Sequence, residues 1–142
     1  MAGEIIAERF ALLKTRGGNG IAFTHLVEDT LHGRRAVVKV SDKLGLVGLE
    51  YLKAVNMLAE SGVEGLLLPL EGGLLEEEGG YYLAFPEVVE PSLEDYLRMR
   101  PRLATREILE IMDRVLTALD GMHRAGFLHL FLEPRNVFYL PR

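Results

Sequence analysis

The segment that most constrains this chain is Gly126–Leu140, GFLHLFLEPRNVFYL. A long run with helical apolar spacing leads into it, its middle turns on a His, a Pro and an Asn, and it leaves as a short apolar stretch. The run before it, Thr105–Arg124, can be counted face by face. At about 100° per residue, Arg106, Glu110, Asp113, Thr117, Asp120 and Arg124 form one polar stripe. Ile108, Leu109, Ile111, Met112, Val115, Leu116, Leu119 and Met122 spread over about 180° on the other side. A surface helix needs an apolar stripe only somewhat over 100° wide. This helix is therefore expected to have neighbours on more than one flank.

Upstream, the chain alternates in the manner of strands. Ala11–Lys14 and Ile21–Glu28 flank the turn TRGGNG, whose Gly17, Gly18 and Gly20 let the backbone turn its N–H groups inward on an anion. After a second turn, EDTLHGRR, comes RAVVKV at Arg35–Val40. Period two sets Val38 and Val40 on one face, and Val37 and Lys39 on the other. Leu44–Ala59 has Leu49, Leu52, Val55 and Leu58 at helical spacing. Leu66–Leu70 and Tyr81–Val89 read as two further strands, with three glutamates at a solvated hairpin tip between them. Ser92 with Asp95 three residues on signals the start of a short helix through Arg100.

In that order, the pieces resemble a protein kinase: glycine turn, AVVK, helix, hinge, two helices, and HLFLEPRN against the family's H-R-D-L-K-P-x-N. His129, Leu132, Pro134 and Asn136 match. Leu130 stands at the Arg, Phe131 at the catalytic Asp and Glu133 at the Lys. In the glycine loop, Gly17, Asn19, Ala22 and Thr24 fall at the positions of G-x-G-x-x-G-x-V, so only the first glycine is in register. The resemblance implies an α+β fold. A small lobe of five antiparallel strands and one helix would span 1–88, and the first helices of the large lobe would fill 89–142, as one domain truncated before the D-F-G segment.

The resemblance also implies where a nucleotide would sit. Lys39 takes the position that grips the α- and β-phosphates, and Phe85 that of the gatekeeper. Pro86 would offer its C=O and Val88 its N–H to adenine. With Gly17, Gly18 and Gly20 these residues form the expected site for ATP or ADP, though no cofactor is demanded. The glutamate partner of Lys39 falls near Ala54, and Glu50 is the nearest acid. With Phe131 at the base and no D-F-G aspartate, the chain is expected not to be an enzyme. A catalytically inactive, pseudokinase-like scaffolding or interaction module is the first expectation, and a nucleotide-binding switch without phosphotransfer the second. Asn136 is expected to hold the loop backbone instead of a metal, His129 to support the loop, and Leu130 and Phe131 to extend the core.

Composition narrows the partners. The net charge of −5 disfavours nucleic acid and anionic membranes. There are no cysteines, so neither disulfides nor a thiolate metal site can form. No apolar run approaches a membrane span, which points to a cytoplasmic protein. The surplus apolar surface is expected to bind a protein partner, or a second copy, through Leu109, Leu116 and a strand at Val137–Leu140.

Overall fold

A computed structural model of the chain describes residues 3–18, 22–41, 45–75 and 79–139. The described residues fall into two compact units, those within Met1–Met57 and Leu67–Glu87, and those within Leu58–Leu66 and Val88–Arg142.

The first unit is built on a six-stranded antiparallel sheet. Its strands are β1 (Ile5–Ile6), β2 (Phe10–Gly18), β3 (Phe23–Asp29), β4 (Arg34–Ser41), β5 (Glu71–Leu75) and β6 (Gly80–Pro86), in spatial order β1-β2-β3-β4-β6-β5. β4 shows why the sheet forms. Ala36 and Val38 are buried on one face, where they meet Phe10, Val27 and Ala84, with Val40 and Tyr82 packed beside them. The rings of Phe10 and Tyr82 meet edge to face at 5.5 Å. The opposite face carries Val37, Lys39 and Leu83, and helix α1 (Gly45–Glu60) reaches it through Leu52. Gly72 makes that approach possible: a Cβ there would stand 2.7 Å from Leu83 Cδ2 and 3.6 Å from Leu52 Cδ2.

Two strand assignments change. The sheet has six strands instead of the expected five, because β1 folds back on β2 over the three residues Ala7, Glu8 and Arg9. Ala7 and Glu8 both take positive φ (51° and 56°), and the Arg9 N–H donates to the Ile6 C=O at 3.2 Å. That is the turn that fits strand twist, usually marked by Asn-Gly, and Ala-Glu hides it. The strand expected at Leu66–Leu70 is also displaced, to Glu71–Leu75. Pro69 has no N–H to give a ladder, and the glycines that follow allow close pairing with β6. The three-glutamate tip lies outside the described residues.

The second unit holds α2 (Leu93–Met99) and α3 (Thr105–Arg124). Ser92 caps α2, accepting from the Asp95 N–H at 3.2 Å while its hydroxyl donates to the Asp95 carboxylate at 2.9 Å. Glu107, in the first turn of α3, accepts from the Ala104 N–H at 3.1 Å. Tyr96, Ile111 and Tyr139 form the core, flanked by Leu93, Leu103 and Val115. The strand expected at Val137–Leu140 is only an isolated bridge, Ser92 to Phe138, secured by Leu93 N–H to Val137 C=O at 2.6 Å and Tyr139 N–H to Pro91 C=O at 3.3 Å. The chain before it turns through a short 3-10 helix at Pro134–Asn136, so few residues are free to pair. Leu140 lies outside the described residues.

Candidate functional site

Lys39 stands in the middle of a row that crosses the sheet. Register places Gly17 opposite Thr24, Thr24 opposite Lys39, Lys39 opposite Leu83, and Leu83 opposite Gly72. Directly opposed residues share a face, so Thr24 and Lys39 project together. The side chain of Lys39 is exposed, and its Nζ lies 5.3 Å from the centre of the Phe85 ring, a cation–π contact. Among the described residues no carboxylate pairs with it. Glu50, the acid that the sequence suggested as its partner, is exposed on α1 and bonded to Lys53 at 3.1 Å. The glycines end the hairpin: Gly17 has φ of 134°, and a Cβ on Gly18 would collide with the Phe23 ring at 2.6 Å. Gly17, Gly18, Lys39 and Pro86 belong to the first unit and Val88 to the second. Gly20 lies outside the described residues.

In the second unit, the loop after α3 is held by two side chains that bond the backbone of Phe131. Asn136 Nδ2 donates to the Phe131 C=O at 2.8 Å, and the Phe131 N–H donates to His129 Nδ1 at 3.3 Å. These are the supporting roles the sequence suggested for both residues. The core role expected for Leu130 and Phe131 is not what the structure shows. They are 77% and 72% exposed, because Leu130 adopts a left-handed φ of 66° and the side chains of Asn136 and His129 hold the Phe131 backbone with these side chains outward.

The two apolar flanks expected of α3 meet different surroundings. Ile111, Ala118 and Met122 are buried, whereas Leu109 (64%), Leu116 (56%) and Met112 (47%) are exposed along the outer side. Of the last stretch, Tyr139 is core, Val137 is half-buried and Phe138 is exposed.

One polar cluster was not legible in the sequence. Arg9 makes two parallel hydrogen bonds of 2.7 Å to the carboxylate of Asp29 and a third to Glu71, and its Nη2 lies 2.8 Å from His32 Nδ1. Asp29 also accepts from the Leu31 N–H at 3.1 Å. The Arg9 hydrogen bonds hold the Asp29 carboxyl well below the usual carboxylate range, against the opposing effect of burial. The guanidinium is raised in turn by its bonds to Asp29 and Glu71. Because Arg9 immediately precedes β2, Asp29 closes β3 and Glu71 opens β5, this cluster ties the starts of β2 and β5 to the end of β3.

No family model matches the chain. Individual relatives do. It is 29% identical over 142 residues to the probable serine/threonine-protein kinase PknB of Lactococcus lactis subsp. lactis (strain IL1403), covering 95% of this chain and 22% of that protein. It is 24% identical over 139 residues to the serine/threonine-protein kinase PrkC of Bacillus subtilis (strain 168), covering 96% of this chain and 22% of the relative. With PknK of Mycobacterium tuberculosis (strain ATCC 25618 / H37Rv), also named a serine/threonine-protein kinase, identity is 31% over 124 residues, covering 86% of this chain and 11% of the relative. The kinase-like fold expected from the sequence is borne out. The expectation that the chain is not an enzyme is corrected. Its relatives along nearly the whole length are named kinases, and since it spans 22% or less of theirs, the lack of a D-F-G segment within 142 residues is no ground for denying activity.

Proposed function

We propose, for a kinase-like chain whose relatives are serine/threonine kinases, that it works as a cytoplasmic protein-interaction module contacting its partner through the outer side of α3. The observation that carries this reading is the exposure of Leu109, Met112 and Leu116 along one side of a helix whose other side is firmly packed. Single exposed apolar side chains are ordinary, but a contiguous set on a rigid element marks a contact surface. A photo-crosslinking residue in place of Met112, introduced in the cells that make the protein, tests it. A crosslinked product that disappears in the Leu109→Glu/Leu116→Glu variant supports the reading. Absence of any crosslinked product overturns it.

A second reading is favoured by Lys39, which is exposed with no carboxylate partner among the described residues and lies in one cross-strand row with Thr24 and Gly17. That arrangement suits the phosphates of ATP or ADP, with the Pro86 C=O available to adenine. With one lysine and a short glycine turn, binding should be micromolar or weaker, about −8 kcal/mol at best. A small nucleotide-dependent rise in melting temperature, lost in Lys39→Ala, is the expected result. No shift at millimolar nucleotide would reject this reading.

A further inference from the structure

The outer side of α3 has a regular spacing of its own. Leu109, Met112, Leu116, Leu119 and His123 follow one another at intervals of three, four, three and four, the a/d spacing of a helix that pairs with another helix. Their seam lies about a third of a turn from buried Ile111, Ala118 and Met122. One flank of the seam carries Arg106, Asp113 and Asp120, each seven residues from the next. The other carries Ile108, Val115 and Met122, leading toward the core. Among the described residues Arg106 enters no ion pair, and Asp120 meets only Arg124, at 2.9 Å on an exposed surface.

We propose that this seam packs antiparallel against the same seam of a second copy of the chain. This rests on the reading of α3 as an interaction surface and names its occupant. The charges set the direction. A parallel pair would lay the Arg106–Asp113–Asp120 column of one copy along the apolar flank of the other, leaving the charges unmatched. In an antiparallel pair the two charged columns meet. With Met112 layered on Leu116 of the second copy and Leu109 on its Leu119, Arg106 faces Asp120 of the second copy, and two-fold symmetry repeats the contact. Asp113 then meets its own counterpart across the axis, one like-charge contact against two of opposite charge.

Sedimentation equilibrium on the 142-residue chain, with circular dichroism to verify folding, reads the outcome. A monomer–dimer equilibrium is expected. Leu116→Glu should weaken it by at least about tenfold and Arg106→Asp by about fivefold, while Arg106→Asp combined with Asp120→Arg restores it. Asp113→Asn should tighten it. Because the chain has no cysteine, direction can be read independently. A mixture of Met112→Cys and Leu116→Cys chains should form a disulfide-linked dimer on oxidation, and neither chain alone should do so. A chain that stays monomeric at high concentration, a dimer indifferent to Leu116→Glu or to the charge reversal, or ready oxidation of one cysteine variant by itself would overturn the proposal. A monomeric chain that still gives an α3-dependent crosslink to a different protein sinks the second copy alone, leaving the interaction module intact.

Discussion

Arg9 and Asp29, twenty positions apart in the chain, face each other in a fork of two 2.7 Å hydrogen bonds. The carboxylate is buried and the guanidinium nearly so, at 2% and 18% side-chain exposure. Removing one member of such a pair strands the other's charge away from water. Asp29→Ala is expected to destabilise the protein by about 3 kcal/mol in urea unfolding, whereas Asp113→Ala, on the surface of α3, should stay within about 0.5 kcal/mol. Equal losses from the two variants would show that the fork is not a structural tie.

The same pair gives stability a pH dependence. Asp29 titrates below its unfolded value, near 3.9, first because Arg9 bonds its charged form. Its contribution is therefore complete above that value and disappears as pH falls through it toward the lower folded value. Arg9 is shifted the other way, so its contribution is constant at every pH below the ordinary arginine range. Urea midpoints should hold level from about pH 7 to 5 and fall below about pH 4. In Asp29→Asn the acid fall should be visibly shallower, and an unchanged acid limb would refute the assignment.

The turn joining β1 and β2 places two ordinary residues at positive φ. Ala7→Asn with Glu8→Gly supplies the residues that accept those angles, and should stabilise the protein by about 1 kcal/mol. A higher melting temperature with unchanged circular dichroism is expected. Destabilisation would mean that another turn geometry holds in solution.

Asn136 fastens the loop after α3 by one side-chain bond to the Phe131 carbonyl. Asn136→Ala should release about 1 kcal/mol locally, speeding hydrogen exchange roughly fivefold at the amides around Phe131. Protection in β4 should not change. If the loop amides exchange at the same rate in both proteins, the bond does not hold the loop.

The sequence displayed clearly whatever rests on periodic burial. β4 and α3 emerge within a residue of their expected bounds, because valines at period two and apolar residues at period 3.6 each have one geometry that buries them. Leu66–Leu70 misled because an unbroken apolar run carries no period, and Pro69 inside it argued against a ladder. The Arg9 cluster was invisible for a different reason. Its members are separated by 20 and 62 positions, and an arginine beside a strand looks the same whether its partner is water or a buried aspartate. The sequence shows Lys39 and Glu50 as possible partners, but only the helix shows Glu50 bonded to Lys53. Likewise, the count of apolar residues on α3 was legible, and which of them stay in water was not.

The two margins of the sheet also bear on how the chain can go wrong. One is β1, only two residues long, and the other is β5, where Gly72 and Gly73 sit between Glu71 and Leu74. An incoming strand gains from a long, stiff, apolar border; beyond β1 the margin is the rest of β2, which carries Lys14, Arg16, Gly17 and Gly18, and β5 is short and rich in glycine. In its native state the protein thus gives a template for fibril growth little purchase. Amyloid, if this chain forms it, should begin from molecules whose β4 has come loose, so its onset should follow the fraction unfolded more closely than the total amount of protein.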